Sequence, residues 1–325
     1  MKNWLKFILF ASTVTVLAAC GGDDDDPAPP PGTLAEVAVS NGFNALVAAA
    51  DKAGLVPVLN DPTSDLTVFA PTDAAFTSLA TSLGFADANT MVAALDEATL
   101  AKILTYHVLP GTKNAAALTA GGPTQATLYE FPAGTKTTLA VDTSSGVKLT
   151  DAALNQATVT TANVRASNGV IHVIDKVLVP PGVLNVVQMA QTNPTFSVLV
   201  EAVVKADLVG TLSGTGPFTV FAPTDAAFVS ALGELNITKE QLLASPELGA
   251  ILTYHVVDGD VRAADVIALP KPATIQTLLT GKTFTVNVDL AIIDGNSRVA
   301  KLVATDVIAN NGVIHVIDKV LLPAP

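Results

Sequence analysis

"TVFAPTDAAF" stands at residues 67–76 and again, letter for letter, at 219–228. Each copy reads as a strand, a stop and a helix. In an extended segment Val68 and Ala70 share one face and Phe69 takes the other. Pro71 has no backbone donor and ends the pairing. Thr72 is an N-cap candidate, because its hydroxyl can accept from an N–H two or three residues on. Asp73 then falls in the first helical turn, where a carboxylate meets the positive end of the helix dipole. Ala75, Phe76, Leu79 and Leu83 continue as an apolar stripe. Pro223, Thr224 and Asp225 take the same parts in the second copy, followed by Phe228, Leu232 and Leu235. Every position has a structural task, so the decapeptide reads as a junction in a scaffold.

Two more strings repeat in the same order: "ILTYHV" at 103 and 251, and "NGVIHVIDKVL" at 168 and 311. The separation between copies shrinks from the first string to the third, so the second copy has shorter loops, where domain surfaces vary. The period is far too long for a solenoid unit, and each copy is read as a domain. We place them at 34–180 and 183–325, joined by Pro180-Pro181-Gly182, a joint with little slack. Within each copy helical patterns come first. "TLAEVAVSNGFNALVAAADKAGL" carries Phe43, Leu46, Val47 and Ala50 at helical spacing, and "FSVLVEAVVKADLVGTL" is its counterpart. Strand-like runs follow: "KTTLAVD", "ATVTTANV" and "GVIHVIDKVLV", then "KTFTVNVD", "RVAKLVATDVI" and "GVIHVIDKVLL". Asn168-Gly169 and Asp294-Gly295 suit hairpin turns. Helices grouped before strands predict an α+β fold.

The ends of the chain carry other information. "MKNWLKFILFASTVTVLAAC" has two lysines and then an apolar run too short for a membrane span, which needs about 20 residues. It reads as an export signal over 1–19. Leu17-Ala18-Ala19-Cys20 resembles a bacterial lipobox, which would make Cys20 the lipidated N-terminus of the mature protein. Gly21, rather than Asp, after that cysteine favours the outer membrane by resemblance to the enteric sorting rule. The protein would then be an exported, lipid-anchored envelope protein facing the periplasm or the cell surface. Residues 20–33, with four aspartates and four prolines, read as a solvated tether. Cys20 is the only cysteine, so no intrachain disulfide is available.

The net charge is −12, with −5 in each domain and no basic cluster, which argues against nucleic-acid binding. Catalytic signals are weak. Leu100, Ile103, Leu104 and His107 are spaced as one helical stripe, matched by Leu248, Ile251, Leu252 and His255, so each histidine extends a core face. A buried imidazole needs hydrogen-bond partners. Asp73 is one candidate acceptor for His107, and Asp225 for His255; the same pairs would also serve a hydrolase triad. No G-x-S-x-G elbow accompanies them. His172 and His315 lie in a run apolar on both faces and read as packed. No H-x-x-x-H pair or Walker lysine is present, and "SGTGPF" at 213–218 precedes a strand. The expectation is no enzyme, no metal and no cofactor.

The ordered set "TVFAPTDAAF", "YH" after a helix, and "GVIHVIDKVL" followed by Val or Leu and then Pro resembles fasciclin-like domains, twice. The resemblance implies two tandem domains, each a β-strand wedge with several packed helices. It also implies a non-catalytic adhesion or matrix role, including biofilm interactions, with a surface or matrix protein or a polysaccharide as partner. The family's receptor-linked Tyr-His region would map to Tyr106 and His107, and to Tyr254 and His255. A second use within the family, binding lipophilic pigments of the carotenoid type, is the alternative function. Specificity is expected where the copies differ, such as 110–135 against 258–280.

Overall fold

In the computed structural model, which describes residues 31–325, the strand Leu66–Pro71 lies at the centre of the first domain. It pairs in parallel with Gly169–Ile174, in register from Leu66 opposite Gly169 to Pro71 opposite Ile174. On its other side it pairs antiparallel with Val108–Pro110, the strand that follows the Tyr-His pair. The three repeated strings therefore meet side by side. Phe218–Pro223, Gly312–Ile317 and Val256–Asp258 repeat this arrangement in the second domain. A glycine opens the strand of the third string because the strands approach too closely for a side chain there. A Cβ on Gly169 would lie 2.1 Å from the Leu66 carbonyl oxygen, and one on Gly312 2.0 Å from that of Phe218.

Alternation along these central strands divides each domain into two cores. Val68, Ala70, Ile171 and Val173 face a helical layer that contributes Leu34, Leu46, Phe76 and Leu104. Phe69 and Ile174 face the opposite way, onto Tyr106, Leu139 and Leu149. In the second domain Val220 and Ala222 face Leu199, Phe228 and Leu252, whereas Phe221 meets Tyr254 and Phe284. This explains why the strings are apolar at both odd and even positions. The first domain's sheet has seven strands. It runs from Val108–Pro110 through the two central strands to Gln156–Ala166, Lys148–Thr150, Lys136–Asp142 and Thr124–Glu130. In the second domain eight strands are divided between two four-stranded sheets. The fold is α+β, with helices on one side of a β wedge.

Several local expectations change. The helical run over 33–55 is two helices, Leu34–Ser40 and Asn44–Lys52, parted at Gly42, whose φ of 75° no side chain adopts comfortably. Thr33, expected within the tether, is the N-cap of the first, in a capping box with Glu36. The long strand expected at the third string ends at Ile174. Beyond it, side chains replace a strand partner: His107 Nε2 accepts the Leu178 N–H, and Asp151 Oδ2 accepts that of Val179. Val177 nonetheless keeps the face of Ile171 and Val173. Gly169 is the first residue of its strand, opposite Ala166, so the turn itself is Ser167-Asn168. The stripe of the second junction helix stops at Leu232; Leu235 is exposed.

The domain joint is packed. Gly182 has φ +71°, and a Cβ there would fall 2.4 Å from the Phe131 ring. Its N–H donates to the Ile308 carbonyl, and Asn193 Nδ2 donates to that of Ala153, both at 2.9 Å. Ala153 and Val179 join the helix-side core of the second domain. The export signal, Cys20 and the tether as far as residue 30 lie outside the described residues.

Candidate functional site

The Tyr-His pairs lie at the centre of each domain. The helix Glu97–Tyr106 ends with His107 as its C-cap, and Leu248–Tyr254 ends with His255. His107 Nδ1 is 2.8 Å from the Ile103 carbonyl, and Nε2 is 2.8 Å from the Leu178 nitrogen. A carbonyl only accepts and a backbone N–H only donates, so Nδ1 carries the proton and Nε2 is bare. His255 repeats this with Ile251 and Leu321, again at 2.8 Å and 2.8 Å. Burial pulls both imidazoles down to about 4, which keeps them neutral. Each ties a helix end to the last residue of the third string. The tyrosine beside it points into the strand-side core. Tyr106 Oη donates to the Thr138 carbonyl at 3.4 Å, and Tyr254 Oη to that of Thr283 at 2.7 Å. All four side chains are at most 2% exposed, so these pairs offer no surface to a partner.

His172 and His315 are satisfied in the same manner with the other tautomer. His172 Nε2 donates to the Lys113 carbonyl at 2.8 Å and Nδ1 accepts from the Asn163 N–H. His315 bonds the Val261 carbonyl and the Asp306 N–H. Burial also lowers the His172 pKa. The aspartates of the decapeptide do not meet any of these rings. Asp73 accepts from Asn44 Nδ2 and the Ala45 N–H, both at 2.9 Å, and so caps a neighbouring helix. Asp225 accepts from Ser197 Oγ and the Val198 N–H. The Asp73–His107 and Asp225–His255 pairings therefore do not form, because each carboxylate is held at a helix N-terminus. Pro71 and Pro223 are the last residues of their strands. Thr72 and Thr224 accept from the N–H groups of Ala75 and Ala227, both at 3.2 Å. Among the described residues no group of three or more His, Cys, Asp or Glu is placed to hold a metal ion.

Two polar sites carry weight that their sequence context did not suggest. Asn168 Oδ1 accepts the Leu34 N–H, while its Nδ2 donates to the Leu59 and Asp61 carbonyls. Asn311 does the same with Val186, Leu212 and Gly214. Each asparagine fastens two helices to the central hairpin. Asp151 accepts three backbone N–H groups, from Ala153, Asn155 and Val179. Burial still pushes its carboxyl up to about 6. Its counterpart Asp294 has Arg298 as a charged neighbour at 3.4 Å, where Asp151 has the neutral Asn155.

A feature with room for a ligand lies in the first domain. A cavity of about 380 Å³ opens between the helices Leu34–Ser40, Asn44–Lys52 and Val56–Asn60 and the central strands. Leu34, Leu46, Leu59, Val68, Leu104 and Ile171 form much of its wall. The only ring nitrogens it reaches, those of His107, are both engaged. The equivalent space in the second domain is about 40 Å³. Aligning the copies shows a cause: Ala35 and Ala50 stand where the second domain has Val187 and Val203. In addition, Val56–Asn60 buries no residue, whereas Leu212 of the corresponding helix is buried.

The chain is similar to several known proteins. Over 145 residues it is 45% identical to Protein sll1483 of Synechocystis sp., covering 43% of this chain and 74% of that protein. Over 173 residues it is 34% identical to transforming growth factor-beta-induced protein ig-h3 of Sus scrofa, covering 52% of this chain and 24% of that one. A solved FAS1 domain pair from the insect cell adhesion molecule Fasciclin I aligns with 88% of this chain and 95% of its own. The TM-score is 0.45 and the identity 21%. The model of the Fasciclin domain matches at 41–180 and at 194–323, taking in both sets of repeated strings and the buried nodes they build. With both regions matched, the chain belongs to the fasciclin domain family.

Proposed function

We propose that this protein is a non-catalytic lipoprotein of the cell envelope that mediates adhesion or matrix and biofilm interactions through its two fasciclin domains. The observation that carries the reading is how the repeated strings are used. Every histidine and junction aspartate in them is engaged in holding the fold, so none of these groups is free to act as a base. Membership of the fasciclin domain family supports the same class of role. Because the Tyr-His pairs are buried, binding falls to surfaces that differ between the domains, on a partner that is a surface or matrix protein or a polysaccharide. Cys20 would carry the lipid that anchors the protein, in the outer membrane with the domains facing the periplasm or outside. A deletion strain should lose surface attachment or biofilm cohesion, and complementation should restore it; unchanged attachment and cohesion would exclude the role. Protease treatment of whole cells tests exposure, since a fully protected protein faces the periplasm. Radiolabelled palmitate incorporation, lost in Cys20→Ser, tests the anchor.

One observation favours a second reading, in which the protein binds a small lipophilic ligand such as a carotenoid: the apolar cavity of the first domain. Purification from the native host followed by solvent extraction and an absorbance scan tests the pigment version. A colourless, ligand-free preparation counts against it.

A further inference from the structure

The cavity of the first domain has a size, a wall chemistry and a rim charge that together select a ligand. Its volume is about 380 Å³, which at roughly 30 Å³ per water-sized group accommodates about a dozen methylene units. A forty-carbon polyene far exceeds that. The walls are aliphatic, and His107 has no hydrogen-bonding capacity left to offer a polar group at the inner end. Polar side chains appear among the lining residues as Glu36, Ser40 and Asn60, and no Lys or Arg accompanies them. Glu36 and Asn60 are already bonded to Thr33, the N-cap of the adjoining helix. A ligand carboxylate would thus meet an acid and no cation, which disfavours a free fatty acid. Val39, one of the lining residues, is 61% exposed and extends the apolar surface outward.

From these observations we infer that the first domain binds a single unbranched acyl chain of about ten to fourteen carbons carried on an uncharged head group, as in a monoacylglycerol. The second domain does not, because Val187 and Val203 occupy the corresponding space. This inference rests on the second reading above and adds to it the ligand class, the chain length and the domain.

The test uses the compact unit Pro31–Pro325 and 1-monoacylglycerols of 8, 10, 12, 14 and 16 carbons, each below its aggregation threshold, followed by calorimetry. The dissociation constant should tighten about fourfold per added carbon, as expected for burying methylenes. It should level off once the chain reaches about a dozen carbons, when the cavity is full. Stoichiometry should be one. Sodium laurate should bind at least tenfold more weakly than monolaurin. The double variant Ala35→Val/Ala50→Val copies the second domain and should weaken monolaurin binding at least tenfold without lowering the melting temperature. An affinity independent of chain length, two chains per protein, or full binding by the double variant overturns the inference. If a carotenoid binds and no monoacylglycerol does, the inference fails while the second reading stands. If neither binds, both fail.

Discussion

Acid should unfold this protein through its buried histidines, and His255 gives the cleanest measurement. Its folded-state pKa is about 4 against an ordinary 6.5, because burial penalises the charged ring more than the bond to the Ile251 carbonyl favours it. The unfolded chain therefore binds the proton more readily throughout the window between those values. Stability from this group is fully present above pH 6.5 and is lost as the pH falls towards 4. For one such ring, going from pH 7 to pH 4.5 removes about 2 kcal/mol. His107 adds a similar loss in the first domain, but Asp151 opposes it there. With a folded pKa of about 6, raised by burial, that carboxyl contributes stability below its unfolded value of 3.8, and the contribution is lost as pH rises through 6. In the second domain the corresponding carboxylate, Asp294, is paired with Arg298. The variant His255→Gln cannot titrate and keeps an acceptor for the Leu321 N–H. It should be less stable at pH 7 by about 1–3 kcal/mol, the cost of imperfect buried hydrogen bonds. Urea unfolding followed by far-UV circular dichroism, at half-unit steps from pH 7 to 4.5, should show the stability of the variant falling about 2 kcal/mol less than that of the parent. Parallel curves for parent and variant would refute the assignment of a neutral, buried imidazole.

Other perturbations follow from the same contacts. Asn168→Ala strands the Leu34 N–H and two carbonyls, and should cost about 2–4 kcal/mol in urea unfolding, with Asn311→Ala costing a similar amount in the second domain. Thr72→Ala removes a helix cap and should cost about 1 kcal/mol, whereas Thr72→Ser should be nearly neutral by the same assay. Gly182→Ala drives a methyl into the Phe131 ring at a positive φ. It should lower the melting temperature and increase protease cleavage at the joint, and equal resistance to cleavage would show that the joint is not packed. His107→Ala should lower the melting temperature while leaving surface attachment of the complemented strain intact at a permissive temperature.

Much of the scaffold was legible in the chain because its signals are local. The identity of two decapeptides marks a duplicated domain, and a proline, a threonine and an aspartate in succession specify where a strand stops and a helix starts. The tandem architecture and the α+β class follow from such short-range patterns, as does the placement of both Tyr-His pairs at helix ends. The partners of buried polar groups were not legible, since they lie far apart along the chain. His107 is held by Leu178, and Asp73 by Asn44 and Ala45, so Asp73 does not pair with His107 even though both residues hold the fold. The strand end at Ile174 was hidden for the same reason: hydrogen-bond acceptors from distant side chains, rather than any break in hydrophobic pattern, take over the backbone donors beyond it.

What the sequence by itself determined is the repeat, the junction geometry and the lack of a recognisable catalytic motif. Tertiary structure alone decided what the interior does. It put the Tyr-His pairs out of reach of any partner and left a carboxylate without a cation at Asp151. It also opened a cavity in one domain that two valines and a better-seated helix close in the other. An alanine facing a valine in an aligned repeat is only a difference of two methyl groups until the surrounding helices show whether they can move in to fill the space; around Ala35 and Ala50 they do not.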